Sequence, residues 1–198
     1  MRALRSWPID SAHIASGFFS DVPSKLEATA RDFAIDEDME GKSVYLYGGY
    51  DDDAKTSMRA LRGALTQRGV KAFAFELPEP GRGELPMKWH AKVAIFESDD
   101  RPVLAIVGSS NFTGPTMHGS TERGAFTAPK FLHVEADTFY WLRNSGYADQ
   151  AVIDAFHYWG QGRLAPHISF FHEQYDDEIE KLMTSLRSDL RSFRWRPV

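Results

Sequence analysis

A histidine and a lysine stand two residues apart in His90-Ala91-Lys92, and further along the chain runs Gly108-Ser109-Ser110-Asn111-Phe112-Thr113. In an extended segment, alternate side chains share a face, so His90 and Lys92 project together. Such a pair is a poor core component without an anion to meet it. Glycine lets a backbone come close to a ligand, and small hydroxyl and amide side chains supply hydrogen bonds. The β-rich runs Trp89–Glu97 and Pro102–Val107 flank Ser98-Asp99-Asp100-Arg101, which predicts a hairpin. That hairpin returns the Gly-Ser-Ser-Asn turn to the side of His90. A His, a Lys, a Ser and an Asn then converge on a patch suited to a tetrahedral oxyanion. Glu122, a loop away, is placed to hold the imidazole in one tautomer.

His90-x-Lys92 followed by Gly108-Ser109-x-Asn111 resembles the HKD motif of the phospholipase D superfamily. With Phe112-Thr113 after the Asn and a Glu further on, it is most similar to the small nuclease-type members. The motif covers residues 88–124, and the strand–helix–strand pattern before it extends the likeness over 10–160. One position departs: the motif's Asp is replaced by Glu97, an acid that in the family supports structure more than chemistry. The resemblance implies a phospholipase-D-like α-β-α sandwich with a mixed central sheet and one motif per chain. Residues 1–160 are then the catalytic domain, and 161–198 a C-terminal helical extension of it.

The activity implied is phosphodiester cleavage without a metal or a cofactor. The motif His attacks phosphorus and forms a covalent phosphohistidine. A second motif His protonates the leaving oxygen and then activates water. Lys and Asn neutralise charge on the phosphoryl oxygens. Carried onto this chain, the catalytic roles fall on His90, Lys92, Ser109, Asn111 and Glu122, with Ser110, Thr113, His118 and Arg194 as substrate-binding candidates. A complete site needs two motifs, and no other His-x-Lys exists in the chain. A homodimer in which two His90 residues face each other resolves this.

Other clusters point elsewhere. His167-Ile-Ser-Phe-Phe-His172-Glu173 lacks the spacing of a zinc helix, and its Phe pair reads as packing. Phe139, Tyr140 and Trp141, then Phe156, Tyr158 and Trp159, could stack bases, but such aromatics more often serve a core or a dimer interface. The tail Arg191-Ser-Phe-Arg194-Trp195-Arg196 mixes cations with aromatics and is the best nucleic-acid contact outside the motif.

These residues need elements to hold them. Ser24-Lys-Leu-Glu27 fits a capping box opening a helix over 24–34. Val44–Tyr47 reads as a strand, and residues 53–68 as an amphipathic helix ended by Gly69. Residues 70–75 make the next strand, completing a βαβ unit of an α/β fold. Residues 78–88, with their prolines and glycines, form a loop. A strand is expected over Phe131–Ala136, and helices near 149–159 and 173–192. The second of these sets Ile179, Leu182, Met183, Leu186 and Leu190 on one face.

The 198 residues suit one full domain. With no cysteine, a disulfide framework, a thiolate metal site and a cysteine nucleophile are excluded. Neither a signal-peptide-like apolar stretch nor a run of ~18 apolar residues occurs, so a soluble, cytoplasmic protein is expected. Lys and Arg number 23 against 28 Asp and Glu, for a net charge of −5. Indiscriminate coating of nucleic acid is disfavoured, though a local basic cleft is not. Acidic residues gather in 36–53 and Arg187, Arg191, Arg194 and Arg196 near the C-terminus; both read first as solvated surface. The leading function is a nuclease acting on DNA or RNA. Its alternatives are a phospholipid phosphodiesterase, disfavoured by the lack of a membrane segment or basic amphipathic helix, and a non-catalytic module that binds nucleic acid or dimerises partners.

Overall fold

Short runs of branched and aromatic residues build a seven-stranded mixed sheet in the computed structural model, which describes residues 9–17, 19–20, 39–49, 51–78, 91–108, 112–113, 137–159 and 173–198. The strands are β1 (Ser11–Ser16), β2 (Phe19–Ser20), β3 (Ser43–Gly48), β4 (Lys71–Glu76), β5 (Lys92–Ser98), β6 (Arg101–Gly108), β7 (Phe112–Thr113), β8 (Asp137–Trp141) and β9 (Arg196–Pro197). The helices are α1 (Asp52–Thr66), α2 (Gly146–Trp159) and α3 (Asp176–Ser192), the last entered through a 3-10 turn at Glu173–Tyr175. Sheet order is β8-β6-β5-β1-β3-β4-β9, and β2 pairs with β7 in a separate two-stranded ribbon. The strands β1, β3 and β4 are parallel, while β5, β6, β8 and β9 join antiparallel to their neighbours.

The expected βαβ unit is β3–α1–β4. Asp51 caps α1 by accepting a 2.7 Å hydrogen bond from the Ala54 amide. Ala54, Met58, Leu61 and Leu65 are its buried stripe. Gly69 follows at φ +78°, the left-handed conformation a helix terminator needs. The hairpin β5–β6 turns through Asp99 and Asp100 at φ +52° and +60°, a two-residue connection with both residues left-handed. Asp10 Oδ2 steadies it by accepting from the Asp99 amide at 2.7 Å.

The two sheet faces differ. Ala12, Ile14, Val44, Leu46 and Phe96 lie under α1 in an apolar layer. On the other face His13, fully buried, stacks on Tyr45 at 4.5 Å, and Tyr45 on Phe73 at 5.0 Å. Helix α3 crosses this second face. It is held by a buried acid, since Glu97 is only 1% exposed. Glu97 Oε2 accepts from the Ser11 hydroxyl at 2.7 Å and Oε1 from Arg187 Nη1 at 2.6 Å. Its Oε2 also lies 3.3 Å from His13 Nε2 and 3.5 Å from Arg191 Nη2. His13 Nε2 also lies 2.9 Å from Arg191 Nη2, and its Nδ1 is hydrogen-bonded with the Tyr47 hydroxyl at 3.0 Å. Burial pushes the Glu97 carboxyl up, but His13, Ser11 and Arg187 outweigh it and hold it at about 2. Burial also pushes the Tyr47 hydroxyl up to about 12.

Several expectations change. Arg187 is not solvated surface: its guanidinium also reaches the Asp100 carbonyl and carboxylate at 2.6 and 3.0 Å. Leu182 is half exposed, because only Ile179, Met183, Leu186 and Leu190 share the inward stripe. Phe139, Tyr140 and Trp141 lie on strand β8, with Trp141 buried in the core. The strand expected over Phe131–Ala136, the helix over 24–34 and the His167/His172 segment lie outside the described residues, as does nearly all of the 78–88 loop. Strand β1, central to the sheet, carried no strand signal of its own. Among the described residues no helix is long and apolar enough to cross a membrane.

Removing the Glu97 carboxylate takes from Arg187 and Arg191 the buried acid they share and leaves Asp100 as their remaining acid. Glu97→Ala should cost about 3–5 kcal/mol, read as a lower urea midpoint at pH 7. The folded Glu97 carboxyl titrates below its ordinary 4.5, so its stabilisation is complete above that value and fades as pH falls toward about 2. Wild type should therefore converge on the variant over that interval. Equal midpoints at pH 7 would remove Glu97 from this role.

Candidate active site

Because β5 runs antiparallel to β1 and β6 antiparallel to β5, the start of β5 and the end of β6 meet at the carboxyl edge of the parallel strands. Lys92 pairs with Gly108 there. One strand over, Ala15 pairs with Val93, and Ser16, Gly48 and Glu76 continue in one row across β1, β3 and β4. Opposed positions share a face, so Lys92 lies on the same face as Glu76, the α1 face. Lys92 is half-buried. The segment after Gly108 is tied back to the segment after β1, since Phe112 and Thr113 pair in parallel with Phe19 and Ser20. In open α/β sheets, ligands bind outside the carboxyl ends of the parallel strands.

This edge is closely built. Gly48 has φ +150°, and a Cβ there would stand 1.8 Å from the Ser16 carbonyl oxygen and 2.9 Å from the Phe19 ring. Only glycine lets β3 end against β1 in this way. Glu76, nearly buried, accepts from Arg59 Nη2 at 2.7 Å. The first turn of α1 adds exposed Asp52 and Asp53, with Lys55 Nζ 3.9 Å from Asp52 Oδ1. The edge thus carries a lysine at β5 and an acidic flank at α1.

Of the expected catalytic residues, Lys92 is the one whose side chain is described, beside the glycine that opens Gly108-Ser109-Ser110-Asn111. His90, Ser109, Asn111 and Glu122 lie outside the described residues, as do Ser110 and His118. Thr113 is placed through its backbone on β7. Arg194 is exposed and stands away from Lys92, beside a cavity at the end of α3. Sequence reasoning did not single out Ser16 or the Arg59–Glu76 pair, which border the same edge. Gly48-Gly49 was legible only as the end of a strand, not as a close backbone approach. Among the described residues no group of three or more His, Asp or Glu could hold a metal ion. No family model matches the chain, and no curated protein matches it.

The Gly48 contact gives a direct check on the edge. Gly48→Ala should destabilise the fold by at least about 2 kcal/mol, since backbone must move to admit the methyl group. Gly63→Ala, in α1 with open space around its Cα, should instead stabilise by about 0.5–1 kcal/mol. Denaturant midpoints of the two variants against wild type separate a steric requirement from a general loss of glycine.

Proposed function

We propose that the chain is a phosphodiesterase of the phospholipase D type, a nuclease that cleaves DNA or RNA through a covalent phosphohistidine without a metal. The observation that carries this reading is the pairing of Lys92 with Gly108 at the carboxyl edge of the sheet. It sets Lys92 and Gly108, the described members of the two arms His90-x-Lys92 and Gly108-Ser109-x-Asn111, side by side on adjacent strands. The mixed sheet with α1 on one face and α3 on the other agrees with the α-β-α sandwich this reading needs.

In the proposed reaction an imidazole nitrogen of His90 attacks phosphorus as the bond from phosphorus to the leaving oxygen breaks. The leaving oxygen takes its proton from the partner's His90 across a two-fold axis. Water then attacks the phosphohistidine, gives its proton to that second imidazole, and the phosphorus–nitrogen bond breaks to regenerate His90. Lys92 and Asn111 face the equatorial oxygens, where charge accumulates in both steps. Ser109 donates to the same oxygens, and Glu122 holds the imidazole in the tautomer that attacks. Ser110, Thr113 and His118 are the further candidates for contact with the phosphate in this reading. Two chains are required because each supplies one histidine.

Labelled single- and double-stranded DNA and RNA in excess EDTA test this directly. Wild type should cut at least one of the four. His90→Ala should lose about 10^4-fold or more in rate, and Lys92→Ala about 10^2–10^3-fold. Sedimentation should give twice the mass of the chain. No cutting of any substrate would overturn the nuclease, leaving lipid phosphodiester hydrolysis or a binding module. Cutting by His90→Ala at the wild-type rate would overturn the site.

A further inference from the structure

The C-terminal tail is fixed in place yet carries exposed charges that, among the described residues, have no ion-pair partner. After α3 the chain turns at Phe193 and runs to β9, where Glu76 pairs with Arg196 and Phe75 with Pro197. Trp195 Nε1 donates to the Leu190 carbonyl at 2.7 Å, and its ring lies 5.4 Å from Tyr47 and 5.0 Å from Phe193. The Val198 amide donates to the Ala74 carbonyl at 3.0 Å, and Arg62 donates to the Val198 carbonyl. A tail used only to cover a sheet edge would need no more than this.

Beside it opens a cavity of about 380 Å³ lined by Asp189, Ser192, Phe193 and Arg194, within the size range of small-ligand sites. Asp189 contributes a backbone carbonyl to the Ser192 hydroxyl at 3.1 Å. Among the described residues, neither its carboxylate nor the Arg194 guanidinium has a hydrogen-bond or ion-pair partner. Two opposite charges line one cavity and do not pair. A ligand that satisfies both needs an anionic end, a hydrogen-bond donor edge and a flat apolar body for the Phe193 ring.

We infer that this cavity is a nucleotide subsite for single-stranded nucleic acid, in which Arg194 takes a phosphate, Phe193 stacks on the base and Asp189 accepts from the amino group of that base. The inference rests on the proposed nucleic-acid substrate and extends it to strand type and base preference. The fixed tail presents these groups without an ordering cost. Stacking on an aromatic ring tolerates any base, so discrimination falls to the carboxylate. It favours cytosine, whose exocyclic N4 donates, over thymine, which offers a carbonyl there. Arg194 stands two residues before Arg196, at the far end of the row that leads to the candidate active edge. Arg196 pairs with Glu76 in the row that crosses β4, β3 and β1 toward Lys92. Four interstrand spacings, about 19 Å, separate β9 from β5, a span for a short extended strand.

The test is fluorescence anisotropy of labelled dC12 and dT12 with the His90→Ala protein, so that binding is read without turnover. Binding should favour dC12 over dT12. Arg194→Ala should weaken both about tenfold or more and reduce the slope of log K against log salt by about one. Asp189→Ala should bring dC12 and dT12 to equal affinity. Unchanged affinity in Arg194→Ala, a cytosine preference that survives Asp189→Ala, or no binding of either oligonucleotide overturns the subsite. Cleavage in EDTA by wild type alongside any of those results removes this inference alone. Arg194-dependent binding by a protein that cuts nothing removes the nuclease and leaves the subsite.

Discussion

A carboxylate taken fully out of water is among the more costly components a sheet can contain, and Glu97 sits on the inner strand β5 with almost no exposure. The cost is met from two directions: the Ser11 hydroxyl and His13 from β1, and Arg187 with Arg191 from α3. Each donor comes from an element far away in sequence. None of them can be satisfied until β1, β5 and α3 have assembled in one arrangement. The cluster therefore acts less as glue than as a specification of which helix lies over which strands. A ring of polar partners this complete tolerates no half-made version, because one missing member leaves a buried charge or donor unpaired.

That specification reaches the other end of the strand. Lys92 and Glu97 lie five residues apart on β5, about 17 Å in an extended chain. A one-residue slip of β5 against β1 would turn Glu97 to the α1 face, where Ala12, Ile14 and Leu46 offer no cation. The same slip would turn Lys92 to the opposite face, away from the row of Ser16, Gly48 and Glu76. The facing of Lys92 at the candidate edge is thus held by electrostatics at the opposite edge. The bulge in β6 opposite the step from Phe96 to Glu97 fits this division. It confines the irregularity to the turn end and leaves the ladder regular from Phe96 to Lys92.

Much of this was legible in the chain, and the parts that were not have a common cause. The β5–β6 hairpin, the unit β3–α1–β4 and α3 were readable because their apolar residues follow one period and end in recognisable turn or cap residues. Strand β1, Ser-Ala-His-Ile-Ala-Ser, has no such signature. Its alternate positions Ser11 and His13 are polar because they answer Glu97, and a local pattern cannot register a partner 86 residues away. Arg187 failed to stand out for the same reason, since an arginine on a helix looks solvated until its acid is found. The pairing of Lys92 with Gly108 was legible because two β-rich runs flank a short turn, which alone predicts that their far ends meet. What spacing does not carry is the close contact of Gly48 with Ser16, which depends on the packing of two strands that are not adjacent in the chain.

The charge of the molecule is what this architecture has to work around. A net charge of −5 opposes the approach of a polyanion, and the exposed acids at the start of α1 stand at the same edge as Lys92. Any phosphodiester reaching that edge does so against the α1 flank unless it arrives from the other end of the row. The other end is β9, where Arg194 and Arg196 are exposed and held on a fixed tail. Arg187 and Arg191 are spent on Glu97 and Asp100, so they neutralise the interior and add little to the surface field. The cluster of arginines near the C-terminus thus divides into two working halves. The earlier pair fixes the sheet, and the later pair stays exposed at the β9 edge, at the end of the row away from the acidic α1 flank.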